Sequence, residues 1–170
     1  MLSFDIRSLE NQAELVDGQL APDDDIWEEG DPRPSEPIRV TGRVSSAGPE
    51  RFYWHGHLEG TVAEDCRRCL TPATASVTDE VHVVFAGEHD PDADEDPDVY
   101  RFDSRTTELD LRPAVRELWL LAAPAFVLCR PDCKGLCPVC GADRNETDCG
   151  HATSGTDSRW DALRKLGDAQ

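Results

Sequence analysis

Long apolar runs are missing from this sequence, and their absence removes a class of protein at once. The longest run, Leu118 to Cys129, is interrupted by Pro124. It spans about a dozen residues where a bilayer crossing needs about 20, so it reads as a buried helix and its exit. The segment Met1 to Glu10 has no basic stretch leading into an apolar run, so no secretory signal is read and the cytoplasm is the expected compartment. Motifs for familiar catalysis are equally scarce. No Gly-rich phosphate loop, Gly-x-Ser-x-Gly elbow or His-Glu-x-x-His helix occurs, which leaves nothing on which to build nucleotide, acyl-transfer or metalloprotease chemistry. There is no internal repeat and no heptad pattern. The expectation is a protein that is not an enzyme, crosses no membrane and takes no small-molecule substrate.

Positive charge is also in short supply. Lys and Arg number 17 against 35 Asp and Glu, a net charge of −18, which opposes uniform phosphate binding and favours basic partners. Two segments hold most of the surplus: Asp23, Asp24, Asp25, Glu28, Glu29 and Asp31 in one, and Glu88, Asp90, Asp92, Asp94, Glu95, Asp96 and Asp98 in the other. The first is interleaved with Pro22, Pro32, Pro34 and Pro37, so residues 21–37 read as a flexible acidic loop. Trp27 is the exception within it, an aromatic expected to tack the loop onto the core. In the second, Asp90 to Asp96 alternates oxygen ligands in the manner of a calcium loop. Glu95 stands where that loop needs Gly, and Arg101 where it needs Glu, so a solvated acidic loop is the reading.

What is present is a period-two pattern. Phe4 and Ile6 give a weak strand, followed by a polar stretch with Leu9, Leu15, Val16 and Leu20. Ile38, Val40, Gly42 and Val44 alternate with polar residues, a turn follows at Ser46-Ala-Gly-Pro49, and Phe52, Trp54, Gly56 and Leu58 resume the alternation. Val81, Val83 and Phe85 mark a third strand, and Val99 to Phe102 a short further one. A helix follows with Asp110 as N-cap, Pro113 in its first turn, Leu111, Val115, Leu118, Trp119 and Ala122 on its buried side and Pro124 at its end. Ser158 caps a last short helix with Trp160, Leu163 and Leu166 on one face. The fold class expected is α+β: an antiparallel β-meander or partly closed barrel packed by one main helix, with a cysteine-rich, zinc-binding C-terminal region. A chain near this size buries roughly 70% of its extended surface on folding. Residues 1–128 therefore form an acidic β-rich core with its helix at about 110–123. Residues 129–170 form a cysteine-rich tail packed on that core as one domain.

The informative residues are the seven cysteines. Cys66-x2-Cys69 lies between the second and third strands, and Cys129-x3-Cys133-x3-Cys137-x2-Cys140-x8-Cys149-x-His151 follows the helix. In a reducing compartment such clustered thiols are metal ligands more often than disulfides. Two intervening residues let both thiolates of a knuckle reach one ion, and zinc takes four sulfur or imidazole ligands in a tetrahedron. Seven cysteines and His151 make eight ligands, enough for two closed sites; one or two zinc ions are expected. The preferred grouping sets Cys66 and Cys69 opposite Cys137 and Cys140, with Cys129, Cys133, Cys149 and His151 as the other site. The rival is one local site of Cys137, Cys140 and Cys149 with Cys129 or Cys133, leaving Cys66 and Cys69 as a free pair. A closed site holds structure and leaves no open position for water. Thiol-disulfide chemistry at Cys66 and Cys69, beside Arg67 and Arg68, is the alternative, although a redox pair belongs between a strand and a helix. His55 and His57 share one strand face, and with no acidic or cysteine partner nearby in sequence they read as polar strand positions.

These motifs resemble the YceD family, the large ribosomal RNA subunit accumulation proteins. The resemblance rests on Val40-Thr-Gly-Arg-Val44, Cys66-Arg-Arg-Cys-Leu70, Glu108-Leu-Asp-Leu111, Leu120-Leu-Ala-Ala-Pro124 and Cys129-Arg-Pro-Asp-Cys-Lys-Gly-Leu-Cys-Pro-Val-Cys-Gly141. Asn145, Cys149 and Arg159-Trp-Asp-Ala-Leu-Arg-Lys-Leu166 continue it, so it covers the chain from about residue 38 onward. His151 stands where many such members have a further cysteine. The resemblance implies a role in accumulation of large-subunit ribosomal RNA and in ribosome assembly, with no known catalytic activity. A basic ribosomal protein and/or ribosomal RNA is the implied partner. A structural protein-interaction adaptor unrelated to ribosomes is the alternative.

Overall fold

The computed structural model describes residues 1–90, 99–103 and 105–151. Along the chain these form β1 (Ser3–Asp5), α1 (Ile6–Asn11), β2 (Glu14–Leu20), β3 (Ile38–Gly48), β4 (Arg51–Asp65), β5 (Pro72–Gly87), β6 (Val99–Phe102), β7 (Glu108–Asp110) and α2 (Arg112–Ala122). Five strands make one sheet in the order β2-β3-β4-β5-β6, and β1 pairs with β7 separately. The Ser158-capped helix and most of the second acidic segment, including the Asp92 to Asp96 stretch, lie outside the described residues.

Alternation decides the faces of the sheet. Ile38, Val40 and Val44 of β3, Phe52, Trp54 and Leu58 of β4, and Val77, Val81, Val83 and Phe85 of β5 are buried on one side. Leu9, Val16, Leu20, Leu111, Ala114, Val115 and Trp119 join the same apolar cluster, so the helices cover the face that the strands leave apolar. The opposite face carries polar side chains.

Four expectations change here. The sheet is open and not a partly closed barrel, because its edge strands β2 and β6 do not pair with each other; β6 also runs parallel to β5, from Val84↔Val99 to Gly87↔Phe102. The chain after Gly87 returns beside Val84 instead of turning to pair back, which ends the meander. The polar stretch near the N-terminus holds a strand: β2 pairs with β3 from Glu14↔Val44 to Leu20↔Ile38. Ile6 begins a short helix capped by Asp5, whose carboxylate accepts from the Ser8 N–H at 3.0 Å. The main helix starts at Arg112, with Leu111 at the cap position and no side-chain cap bond. Asp110 closes β7, and its carboxylate takes the Arg112 N–H at 2.9 Å and the Arg112 guanidinium. The helix stops at Ala122, ahead of Pro124, as the missing proline N–H requires.

The first acidic segment is docked and not a free loop. Trp27 is buried as expected, and its indole N–H donates to the Ala21 carbonyl at 2.8 Å. Arg116 of α2 forks onto both carboxylate oxygens of Asp31 at 2.7 and 3.1 Å, and Arg112 reaches Asp24 and Asp25 at 3.2 Å. Trp119 donates its indole N–H to the Pro32 carbonyl at 2.7 Å. The Arg116 hydrogen bond, helped by the Glu28 backbone N–H, holds the Asp31 carboxyl below the usual carboxylate range. A lowered folded-state value means stability that is present above the unfolded carboxylate pKa and lost as pH falls through the folded one. Asp31→Asn is therefore expected to lower thermal stability at neutral pH. The gap to the native chain should close in acid, as parallel melts across pH will check.

Candidate metal centres

The β4 and β5 strands remain paired to Asp65↔Pro72, so residues 66–71 are the tip of a long hairpin. There the Cys66 N–H donates to the Thr71 carbonyl and the Leu70 N–H to the Cys66 carbonyl, both at 2.8 Å. Leu70 is left-handed, with φ of 60°, a conformation costing a non-glycine residue about 1–2 kcal/mol. The tail repeats the design with a better-suited residue. The Gly141 N–H donates to the Cys137 carbonyl at 2.9 Å, and Gly141 has φ of 73°, readily adopted without a Cβ. Each Cys-x-x-Cys segment is thus a knuckle whose backbone N–H groups turn toward its first sulfur.

The chain leaving α2 passes directly over the hairpin tip. The Arg67 N–H donates to the Val127 carbonyl at 3.0 Å and the Leu136 N–H to the Arg68 carbonyl at 3.0 Å. The Arg68 guanidinium donates to the Cys133 carbonyl at 2.9 Å. These bonds place Cys129 and Cys133 against Cys66 and Cys69. The Sγ atoms of Cys66 and Cys133 are 3.8 Å apart and those of Cys69 and Cys129 3.5 Å apart, and all four lie within 4.8 Å of one another. Cys137, Cys140, Cys149 and His151 form a second group of the same compactness, with the Cys137 Sγ 3.8 Å from the His151 Nδ1. A backbone bridge between Leu136 and Asp143 closes the loop that carries it.

All eight predicted ligands are therefore gathered into two groups of four, but not in the preferred grouping. Cys66 and Cys69 meet Cys129 and Cys133, while the Cys137 and Cys140 knuckle takes Cys149 and His151. Like knuckles do not face each other; each is completed by a pair lacking the two-residue spacing. The reason is the exit from α2, which lays residues 127–136 on the hairpin tip before the second knuckle begins. The rival single site, with Cys66 and Cys69 free, does not describe the arrangement either.

The donor chemistry fits a tetrahedral dication. With metal–sulfur bonds of about 2.3 Å, neighbouring sulfurs of a tetrahedron stand about 3.8 Å apart, whereas a disulfide would bring two sulfurs to about 2.05 Å. None of the seven cysteines is paired in a disulfide. Backbone N–H donation holds two thiols in readiness: Cys66 is lowered to about 6, chiefly by the Cys129 N–H, and Cys137 to about 6 by those of Cys140 and Val139. Burial and the neighbouring sulfurs push Cys129 up to about 12. Thiols packed this closely, three of the first four buried, cannot all ionise side by side without a cation, and a bound dication would remove that conflict. Asn145 is a residue whose role sequence reasoning missed. Its amide N–H reaches the Cys133 Sγ at 3.4 Å while its Oδ1 accepts the Lys134 N–H at 2.8 Å, the outer support that orients ligands at metal centres. No spacing rule links Asn145 to Cys133, so only the folded loop reveals it. His55 and His57 lie on the exposed sheet face as expected.

An open, mostly antiparallel sheet whose longest hairpin ends in thiols met by a cysteine-rich tail is a β-sheet protein with two cysteine clusters that could hold metal. The chain belongs to the YceD family, described as large ribosomal RNA subunit accumulation protein YceD, whose family model matches residues 54–167. It is also similar to the uncharacterized protein Rv2926c of Mycobacterium tuberculosis and to the uncharacterized protein Mb2951c of Mycobacterium bovis. Each is 32% identical over 134 residues, 78% of this chain and 56% of the relative. The chain thus spans a little over half the length of the curated relatives it matches. No solved structure matches it. Among the described residues, no helix is long and apolar enough to cross a membrane.

Proposed function

We propose that this chain is a non-catalytic zinc-binding factor in the accumulation of large-subunit ribosomal RNA, working in the cytoplasm by binding a component of the assembling subunit. The observation that carries the reading is membership of the YceD family over residues 54–167, a family described by that role. The two thiol groups support zinc as a structural ion, since sulfur and imidazole donors in fours are the closed zinc set. Thiol-disulfide exchange at Cys66 and Cys69 is the less favoured alternative, because both sulfurs face Cys129 and Cys133 as fellow ligands.

RNA is the better-supported partner at the metal end of the molecule. The Arg67 guanidinium stacks 3.4 Å over the Phe126 ring, and Phe126 is 59% exposed. An accessible aromatic and a guanidinium side by side suit stacking on unpaired bases and contact with phosphate. The acidic segment is a weaker candidate for a basic ribosomal protein, since Asp24 and Asp31 already engage Arg112 and Arg116.

The test is affinity isolation from cells at low and raised salt, with deletion of the gene in parallel. Bound large-subunit RNA or ribosomal proteins, and a lowered ratio of large- to small-subunit ribosomal RNA on deletion, are expected. A bound set without ribosomal components and an unchanged ratio would refute the proposal and return the adaptor reading.

A further inference from the structure

The polar face of the five-stranded sheet carries a cluster of different chemistry. β4 and β5 pair so that His55 stands directly opposite His82, and His57 opposite Glu80. Residues two apart on a strand share a face, so Tyr53, His55 and His57 of β4 project with Glu80 and His82 of β5, away from the core side chains Trp54, Val81 and Val83. The partner that His55 lacks nearby in sequence is thus supplied by the adjacent strand.

The geometry is convergent. The His55 Nε2 is 3.1 Å from the Glu80 Oε1, and the His82 Nε2 is 3.8 Å from the same oxygen. One donor atom from each of the three lies within 4.8 Å of the others. The two imidazoles stack, with centroids 4.6 Å apart and planes 13° from parallel. On the far side of His82, Nδ1 lies 2.6 Å from the Tyr53 hydroxyl. In the tautomer whose Nδ1–H donates to the tyrosine oxygen, Nε2 carries the lone pair a metal would take, the outer-shell arrangement that fixes a ligating histidine.

Outward-facing polar residues on a sheet are ordinarily just solvated, and exposed acids alone would not indicate a site. Here two nitrogen donors approach the same carboxylate oxygen at 3.1 and 3.8 Å, either side of the ~3.3 Å edge of a tetrahedron with metal–nitrogen bonds of about 2.0–2.1 Å, and one of the two nitrogens has its own support. We propose that His55, Glu80 and His82, with Tyr53 as positioning residue, form a surface site for a borderline transition-metal dication of the zinc type. Two imidazoles and one carboxylate favour Zn²⁺, Ni²⁺ or Cu²⁺ over the all-oxygen preference of Ca²⁺ and Mg²⁺. The cluster is exposed, so a bound ion keeps open positions for water or for a donor from a partner. The site shares no residue with the cysteine centres and stands or falls independently of them.

The test uses the full chain purified under reducing conditions and saturated with zinc at its thiols. Further Zn²⁺ is titrated in while calorimetry counts equivalents and NMR follows the imidazole nitrogens. One added equivalent is expected, moving the Nε2 resonances of His55 and His82. His82→Ala and Glu80→Gln should weaken it by about tenfold or more, and Tyr53→Phe by about 10-fold to 100-fold, the usual range for outer-shell changes. All three positions face solvent, and circular dichroism checks that the sheet is retained. Unmoved imidazole resonances at millimolar Zn²⁺, or an added equivalent whose affinity His82→Ala leaves unchanged, would overturn the proposal.

Discussion

Removing the proposed zinc from the reduced protein with a strong chelator is expected to release residues 127–151 from the β4 and β5 hairpin tip while the five-stranded sheet stays folded. The tail has few means of its own to hold a structure: its buried members include Cys133, Cys137 and Val127, and among the described residues its only strand-like pairing is the single bridge between Leu136 and Asp143. Structural zinc in peptide sites contributes roughly 10–16 kcal/mol of apparent binding free energy, more than most domains hold as net stability. The sheet, by contrast, is held by a continuous core from Ile38 to Phe85 that contains no ligand. Hydrogen exchange reads the difference directly. The amides of Arg67 and Leu136, which donate across the junction between tip and tail, should lose protection by orders of magnitude, and those of central β4 should not. Equal protection with and without chelator would show that the ion does not hold the tail.

The second large effect belongs to Trp119. Its ring is fully buried, packs over Gly60, where an added Cβ would come 2.7 Å from the indole, and donates to the Pro32 carbonyl at 2.7 Å. It therefore joins three layers: α2, the sheet beneath it and the acidic segment beside it. Trp119→Ala removes the largest side chain on the helix and should cost about 3–5 kcal/mol, the range for emptying a large aromatic site that relaxes only in part. It should also loosen residues 21–37 around Pro32, because one of their anchors on the helix is lost while the Arg116–Asp31 and Arg112–Asp24 pairs remain. Chemical denaturation gives the first number, and increased exchange around Pro32 gives the second. A loss below about 1 kcal/mol, typical of a surface change, would contradict the packing described here.

Much of this was readable in advance where one residue pattern answered one physical demand. The alternation of Ile38, Val40 and Val44, and of Phe52, Trp54 and Leu58, announced β3 and β4 because one face of each is buried and the other wet. Pro113 and Pro124 bracketed α2 because proline suits a helix start and forbids its continuation. β2 escaped because Leu15 points outward, 80% exposed, and Gly18 leaves a gap in the inward set, so its period was blurred. β6 was visible as a strand but not as a parallel one, since direction depends on the path between Gly87 and Val99.

The metal centres divide along the same line. The eight candidate residues could be picked out by type and spacing, but which four stand together could not, because cysteine thiols are chemically interchangeable and only the path after α2 decides which pair meets the hairpin tip. Asp24 and Asp31 looked like free acids for a related reason. Arg112 and Arg116 lie more than eighty residues away in sequence and reach them only in the fold. Glu80 and His82 joined His55 through strand register, which no local motif encodes.

In the proposed arrangement Cys66, Cys69, Cys129 and Cys133 hold one zinc ion while Cys137, Cys140, Cys149 and His151 hold another. Metal analysis of the chain with Cys66, Cys69, Cys129 and Cys133 all changed to Ser tests it most directly, with the native chain as reference. Setting aside any ion at His55 and His82 by prior Glu80→Gln substitution, the account predicts two zinc ions per native chain and one in the fourfold variant. A variant that retains none, as it would if Cys66 and Cys69 shared an ion with Cys137 and Cys140, would contradict it.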